Sequence, residues 1–184
     1  MTGARLLERL VVVPAIPSDA PHISELLYRA WLATYPNEAA GITEEDIHLR
    51  FRNRTAPDQI RKREDIIKNP GPGMVKLVAR IGKGIVGVAY LTVGSPNELV
   101  ALYVDPRIHR SGIGTALWKR CQDYLNPRFG TLLSVATYNH KAISFYKKHG
   151  FIEGGNEPPE KAIVLSSGNR IPAMLMICDP RVNP

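Results

Sequence analysis

A loop that joins a strand pattern to a helix pattern constrains this chain more than any other feature. The segment 104–117 reads VDPRIHRSGIGTAL, in which Gly112 and Gly114 precede residues that are apolar at helical spacing. The first N–H groups of a helix have no partner within it, and the helix dipole adds partial positive charge there. With Arg107 and Arg110 beside these groups, the segment predicts a phosphate-binding loop.

Two well-known glycine loops do not fit this segment. A dinucleotide-binding loop needs a third small residue where this chain has Leu117, and it follows the first strand of its domain rather than a later one. A Walker loop needs a Gly-Lys-Ser/Thr run, which is absent here. By itself, the loop also fits a turn that contains glycine and binds no ligand.

Composition narrows the class of protein. The chain has 184 residues, 44% of them hydrophobic, which suits one domain of α/β or α+β type. Cys121 and Cys178 lie far apart in apolar runs, without the spacing of a metal site, so we expect no bound metal. No apolar stretch near the start is long enough for a membrane span, and none has a cleavage signature. We therefore expect a cytoplasmic protein without a membrane partner.

Hydrophobic periodicity predicts the order of the elements. A strand precedes two or three helices, and three strands then fill 75–104. A helix, a strand and a second helix follow, and Gly150 ends the second helix. Beyond Phe151 we expect a strand meander in which two strands flank a turn at 167–169.

The second of these helices carries a motif that can be compared with the loop. Residues 139–151 read NHKAISFYKKHGF. Together with the strand end Leu102–Pro106 and the loop His109–Gly114, they resemble the GNAT superfamily of acyl-CoA-dependent N-acetyltransferases. That family shows L-x-V-x-P, then Q/R-x-x-G-x-G/A, then N-x-x-A-x-x-x-Y-x-x-x-G-F. One departure is His109, which stands where the family has Gln or Arg.

The resemblance implies a fold and a cosubstrate. It implies one domain with a mixed, mostly antiparallel central sheet of about seven strands, flanked by helices, in which a splayed parallel strand pair holds acetyl-CoA. Residues 1–74 would form the N-terminal strand and the acceptor-side helices, 75–155 the coenzyme-binding core, and 156–184 the C-terminal strands. The coenzyme contacts implied by the resemblance are Leu102, Tyr103, Val104, His109, Arg110, Ser111, Gly112, Ile113, Gly114, Thr115, Asn139 and Tyr146.

Acyl transfer to an amine needs an acid for the leaving thiolate and an oxyanion donor. Tyr146 is the predicted acid, since a phenol with a pKa of about 10 is protonated at neutral pH. The alternative is a core aromatic residue that packs beside Phe145. Asn139, two helical turns earlier, is predicted as a helix N-cap, a coenzyme or substrate contact, or both.

The sequence defines the base that deprotonates the amine less clearly than it defines the acid. Glu98 opens the strand whose far end lines the thioester, and a period of two would put it on the same face as Leu102 and Val104. It is predicted to act through a water, and the alternative is a solvated carboxylate at a strand end. Further candidates for the base are Tyr138, Tyr35 and Glu38.

The resemblance also suggests where the acceptor binds. The acceptor lies against the N-terminal helices in this fold, and residues 31–35 read WLATY, similar to a W-x-x-T-Y stretch of one acetyltransferase branch. The implied acceptor contacts are Trp31, Tyr35, Glu38 and Tyr138. Acidic residues nearby would suit a cationic amine such as a polyamine, an aminoglycoside or a peptide N-terminus.

Two basic runs, 48–54 and 61–63, accompany a net charge of +7. They would suit an anionic partner, a nucleic acid or the 3′-phosphate of the coenzyme. Glu64 and Asp65 follow at once, and no aromatic residues alternate with the basic ones as in a base-stacking surface. We therefore interpret the runs as solvated helix faces and expect no nucleic-acid partner.

Two functions stay open at this point. The first is transfer of an acetyl group from acetyl-CoA to a primary amine of a small molecule or peptide, by direct attack in a ternary complex. The second is a catalytically silent regulator that senses CoA or binds nucleic acid on the same fold. The sequence leaves open the acceptor amine, the acyl chain length and whether the chain forms a homodimer.

Overall fold

The structure is a computed structural model that describes residues 9–108 and 111–180. Its central sheet has seven strands in the order β1-β2-β3-β4-β5-β7-β6. The strands are β1 (Leu10–Pro14), β2 (Met74–Ile81), β3 (Gly84–Thr92), β4 (Asn97–Val104), β5 (Thr131–Ala136), β6 (Ile152–Asn156) and β7 (Ala173–Cys178).

Five α-helices flank this sheet in the described ranges. They are α1 (Ala20–Thr34), α2 (Glu44–Phe51), α3 (Pro57–Lys68), α4 (Ile113–Gln122) and α5 (His140–Lys148). A capping box opens α2, because Thr43 Oγ1 accepts from Asp46 N–H (3.2 Å) and the Asp46 carboxylate accepts from Thr43 N–H (2.9 Å). Short 3₁₀ helices lie at Pro17–Asp19, Glu38–Ala40 and Pro159–Lys161.

The sheet is antiparallel except where β4 meets β5. These two strands are parallel, and only Asn97 with Thr131 and Glu98 with Leu132 are paired. No further strand pairing joins β4 to β5 in the described chain, although each stays paired to its neighbour on the other side. The expected mixed sheet with a splayed parallel pair is therefore confirmed.

The two faces of the sheet bury different helices. Leu77 on β2 belongs to the core cluster that contains Leu117 and Trp118 of α4. Val78, the next residue on β2, belongs to a cluster formed with α1, including Ile23. Since successive side chains of a strand point to opposite faces, α4 and α5 cover one face and α1 to α3 the other.

The C-terminal part differs from the expected meander. One strand, β7, follows the turn at 167–169 as expected. The segment before the turn forms no strand and is paired across the turn only by an isolated bridge from Val164 to Arg170, which precedes β7. Pro158 and Pro159 lie upstream of the bridge, where the chain forms a 3₁₀ helix. Proline has no N–H to donate to a strand ladder, which explains why no second strand forms there.

The described residues contain neither a long apolar helix nor a cluster of metal-binding side chains. No helix among them combines the length and apolarity that a bilayer crossing requires. Over the same ranges, no three His, Cys, Asp or Glu side chains are placed to hold a metal ion. Both cysteines, Cys121 and Cys178, are buried, as their apolar neighbours predict.

Candidate active site

The gap between β4 and β5 offers unpaired backbone groups. Asp105 N–H donates to Val86 C=O on β3 (2.9 Å). Because backbone N–H groups alternate in direction along a strand, those of Leu102 and Val104 point the other way, into the gap. The Leu102 and Val104 side chains pack on the α4 side of the sheet, whereas Tyr103 packs on the side of α1 to α3.

The N-terminus of α4 lies directly beyond this strand. Gly112 precedes the helix with φ of 74°, in the left-handed region that favours glycine. Ala116 N–H donates to Gly112 C=O (3.0 Å), which is the helical i to i−4 bond. The N–H groups of the three preceding residues lie at the N-terminal end of the helix, where no earlier helical C=O group can accept from them. They belong to Ile113, Gly114 and Thr115.

A hydrogen bond within the loop before α4 joins two of its residues. Ser111 is buried, and its hydroxyl donates to Ile108 C=O (3.2 Å). His109 and Arg110, both expected to contact the coenzyme, lie outside the described residues. The described part of the loop therefore presents backbone groups rather than positive side chains to a ligand at the helix end.

A buried carboxylate that the sequence analysis missed holds this loop in place. Asp105, 1% exposed, accepts from Arg107 through the backbone N–H (3.1 Å), Nε (3.0 Å) and Nη2 (2.7 Å), and from Arg29 Nη2 of α1 (2.8 Å). Burial alone would raise the pKa of the Asp105 carboxyl, but the hydrogen bonds from Arg107 and Arg29 outweigh it and hold that pKa well below its usual range. Arg107 is therefore engaged in positioning the loop.

Tyr146 lies on the buried face of α5. It is 8% exposed, and its ring packs edge-on against Phe145 (centroids 5.3 Å apart) and Phe151 (5.6 Å). Burial raises the pKa of its phenol, and the nearby Tyr35 and Cys121 raise it further. No described residue forms a hydrogen bond with its hydroxyl. The phenol is thus a core aromatic and also an uncommitted, protonated donor.

Tyr146 is one of four phenols, Tyr35, Tyr103, Tyr138 and Tyr146, that we call the tyrosine cluster. Tyr35 Oη lies 2.7 Å from Tyr103 Oη, and Tyr138 Oη donates to Tyr35 C=O (2.8 Å). Burial raises the pKa of each phenol, that of Tyr138 to about 12. The raised pKa values keep these phenols protonated at neutral pH, which argues against Tyr35 and Tyr138 as bases.

The motif, the splayed strands and the helix end can now be compared with known proteins. The family described as "Acetyltransferase (GNAT) family" matches residues 25–151. The chain belongs to this family. Many solved structures match the fold of this chain, and the similar ones described below share about a fifth of its residues. No curated protein sequence matches the chain.

Three solved structures illustrate the shared GNAT fold. An N-acetyltransferase PaiA from Thermoplasma acidophilum, in complex with coenzyme A, is 19% identical with a TM-score of 0.70, over 92% of this chain and 98% of that one. A GCN5-related N-acetyltransferase from Rhodopseudomonas palustris is 18% identical with a TM-score of 0.66, over 92% and 94%. The ribosomal-protein-S18-alanine N-acetyltransferase from Escherichia coli is 20% identical with a TM-score of 0.62, over 92% of each chain.

Glu98 of this GNAT domain does not lie on the expected face. Leu91 pairs with Leu99 but Tyr90 pairs with Ala101, so β4 contains one extra residue, a bulge. The bulge shifts the alternation, so that Glu98 faces the side of Tyr103 and not the side of Leu102 and Val104 as the sequence analysis assumed. The Glu98 carboxylate is 38% exposed and accepts from Lys161 Nζ (3.1 Å).

Two other expected site residues occupy ordinary structural positions. Asn139 Oδ1 accepts from Ala142 N–H (3.2 Å), which confirms Asn139 as the N-cap of α5. Glu38 is exposed in its 3₁₀ helix, and its carboxylate forms no hydrogen bond or ion pair with the described residues. As the N-cap, Asn139 stabilises the start of the helix that carries Tyr146.

Two charged residues near the tyrosine cluster were missed by the sequence analysis. The charges of Arg50 and Glu157 both reach the phenol of Tyr35, whose raised pKa is due first to burial. Arg50 also lies over the ring of Trp31, 4.5 Å from its centroid, and Trp31 packs on Tyr35 with centroids 4.5 Å apart. Arg50 lies in the basic run 48–54, which the sequence analysis interpreted as a solvated helix face, and Glu157 lies in the segment after β6, so the two meet only in the fold.

Proposed function

We propose that the chain transfers an acetyl group from acetyl-CoA to a primary amine by direct attack in a ternary complex. The observation that carries the proposal is the gap between β4 and β5, with the open N-terminus of α4 beyond β4 and Tyr146 in the core cluster against which Leu102 and Val104 pack. Membership in the GNAT acetyltransferase family supports it, and so does the coenzyme A complex of the similar PaiA structure.

The described residues fit coenzyme A. The N–H groups of Ile113, Gly114 and Thr115 would bind the diphosphate at the positive end of α4. The backbone groups of Leu102 and Val104 would hydrogen-bond the pantetheine arm in the manner of an added strand. His109 and Arg110 would add contacts at the loop. The thioester of the bound cosubstrate supplies the electrophilic carbonyl carbon.

Tyr146 is the proposed acid. The amine nitrogen attacks the thioester carbonyl carbon, the carbon–sulfur bond breaks, and the thiolate takes a proton from Tyr146 Oη. The raised pKa of that phenol keeps it protonated before the step, and the cost of a buried phenolate favours its rapid return to the neutral form. Unpaired backbone N–H groups of β4 would stabilise the oxyanion.

The proton lost by the amine needs an acceptor. We propose Glu98, acting through a water, because the bulge in β4 turns it toward the face that carries Tyr103. Trp31, Tyr35, Glu38 and Tyr138 would form the wall against which the acceptor binds. The Glu98 carboxylate would then accept hydrogen bonds from both Lys161 Nζ and that water.

The proposal is tested by two measurements on the whole chain. Calorimetry should show acetyl-CoA binding, and a thiol assay should show CoA release that depends on an added amine from a panel of polyamines, aminoglycosides, amino acids and peptides. Absence of binding at millimolar ligand would overturn the proposal. Binding without CoA release on any amine would favour the silent regulator instead.

A further inference from the structure

A basic groove runs across the surface of α2 and α3. Three adjoining depressions of about 480, 410 and 260 Å³ all contact Gln59 and together form what we call the basic trough. The first two also share Asn53, and the second and third share Arg63. The cationic residues that line it are Arg50, Arg52, Arg54, Lys62, Arg63 and Lys76.

The positive charge of the basic trough is almost uncompensated. None of the residues that line its three depressions, all within the described chain, is acidic. Of its cations only Arg54 forms an ion pair there, with Glu25 (2.9 Å). Burial and the neighbouring charge of Arg63 lower the pKa of Lys76, and the buried Nε of Arg63 has no hydrogen-bond partner among the described residues. Six like charges held together with a single paired carboxylate indicate a surface that an anion would stabilise.

The basic trough borders the proposed acceptor site. Trp31 lines its middle depression, and Arg50 lies over the Trp31 ring. On its other side Trp31 packs on Tyr35, whose hydroxyl contacts that of Tyr103 on β4. Trp31 therefore separates the middle of the trough from the tyrosine cluster, and a ligand in the trough lies one side chain away from that cluster.

We propose that the basic trough binds an acidic peptide segment whose N-terminal amine is the acetyl acceptor. The inference rests on the proposed function and replaces the expectation of a cationic acceptor. A peptide fits better than a nucleic acid, because the amino groups of nucleobases are conjugated with their rings and are weak nucleophiles. A peptide α-amine has an ordinary pKa of about 8, so a useful fraction is neutral at physiological pH.

Three peptide acceptors of one length test the charge preference. They share a free N-terminus and lack lysine, and they carry several Glu, Gln or Arg residues at the same downstream positions. The Glu peptide should show a kcat/KM at least about tenfold above the Gln peptide, mostly through KM, since several exposed charge pairs of a few-fold each combine. The preference should shrink at high salt because exposed charges are screened.

A matched pair of variants locates the effect. Arg52→Gln/Lys62→Gln/Arg63→Gln should lower kcat/KM for the Glu peptide by about tenfold and leave little preference over the Gln peptide. The control, Lys83→Gln/Arg128→Gln/Lys141→Gln, removes the same charge from surfaces outside the trough and should keep the preference. Arg50 and Arg54 are left intact because they also pack on aromatic rings.

A binding arm separates this inference from the proposed function. An N-acetylated Glu peptide cannot react, so its affinity, followed by fluorescence anisotropy, reports the trough alone. Tight binding of that peptide without acetyl transfer to any amine would overturn the proposed function and support the trough. Equal kcat/KM for Glu and Gln peptides, or tighter binding of a single-stranded oligonucleotide of equal charge than of the Glu peptide, would overturn the inference.

Discussion

The proposed coenzyme side and the proposed acceptor side of this molecule are built by different means. On the coenzyme side, between β4, β5 and α4, the available groups are backbone N–H groups presented by Gly112 and by the splayed strand. On the acceptor side, between α1, α2, α3 and the tyrosine cluster, they are side chains, chiefly phenols and guanidinium groups. Backbone groups suit a cosubstrate of fixed chemistry, whereas side chains can be exchanged to suit different acceptors.

This difference has a consequence for substitutions. On the coenzyme side, a change should act through backbone conformation and affect all acceptors equally. On the acceptor side, a change should act through one hydroxyl or charge and affect acceptors unequally. Tyr146, on α5, belongs to the core cluster against which Leu102 and Val104 pack, and its phenol lies near that of Tyr35.

Removal of the Tyr146 hydroxyl should give the largest effect. Tyr146→Phe should lower kcat by roughly 10²–10⁴-fold with little change in acetyl-CoA affinity, because only the proton donor is lost. Its melting temperature should hold, since no hydrogen bond among the described residues is broken. Tyr124→Phe, which removes a phenol bonded to Arg120 at the end of α4, is the control. An unchanged kcat in Tyr146→Phe would leave Tyr146 with a packing role only.

Gly112→Val should mainly weaken coenzyme binding. A β-branched residue is disfavoured in the left-handed conformation, so the loop must shift and the helix N–H groups lose their alignment. Loss of two hydrogen bonds to a charged diphosphate, at about 1.5 kcal/mol each, corresponds to a Kd for acetyl-CoA about 100-fold higher.

Calorimetry of the variant and a control measures this effect. Gly82→Val introduces the same strain, at φ of 60°, in the β2–β3 turn with nothing within 4 Å of the new side chain. It should retain the affinity of the parent protein. Equal Kd values for the two variants would show that the loop at Gly112 does not bind the diphosphate.

Asp105→Asn tests the link between the two sides. It removes a buried charge that holds Arg107 and Arg29, and should destabilise the fold by about 2 kcal/mol, below the 3–5 typical of buried pairs because Arg107 is 69% exposed. Since the folded pKa of Asp105 is depressed, its stabilisation is complete above about pH 4 and is lost as pH falls toward the folded pKa.

Urea unfolding at several pH values measures the Asp105 effect. The stability difference between the parent and Asp105→Asn should be largest at neutral pH and should narrow below about pH 4. Asp123→Asn, which breaks an exposed pair with Arg120, should have little effect at any pH. A difference for Asp105→Asn that is independent of pH would show that the carboxylate charge does not stabilise the fold.

Removal of the proposed base, Glu98, should give the smallest effect on activity. Glu98→Gln should lower kcat/KM by about tenfold at neutral pH, and the loss should disappear above the pKa of the acceptor amine, where no base is required. Glu157→Gln provides the comparison, since the charge of Glu157 reaches Tyr35 of the tyrosine cluster. A stronger, pH-reversible loss in Glu157→Gln than in Glu98→Gln would move the role of base to Glu157.

Local features of this molecule were predictable because they depend on neighbours in sequence. The left-handed turn at Gly112, the N-cap at Asn139 and the capping box at Thr43 each involve residues a few positions apart. The parallel pair of β4 and β5 was expected because the motifs around these strands resemble those of the GNAT family. The face of Glu98 was predicted wrongly, since a bulge in β4 depends on pairing with β3 and leaves no mark in the alternation itself.

The sequence by itself determined most of the elements and the glycine turn before α4, because helix periodicity, glycine conformation and capping act within a few residues. Only the tertiary structure decided what meets across the fold. The Asp105 carboxylate accepts a hydrogen bond from Arg29, 76 residues away in sequence. The hydroxyls of Tyr35 and Tyr103, 68 residues apart in sequence, hydrogen-bond to each other. Burial then sets the pKa of each group, and burial depends on the packing of distant segments. The basic trough arises in the same way, from α2, α3 and β2, which only the packed domain brings together.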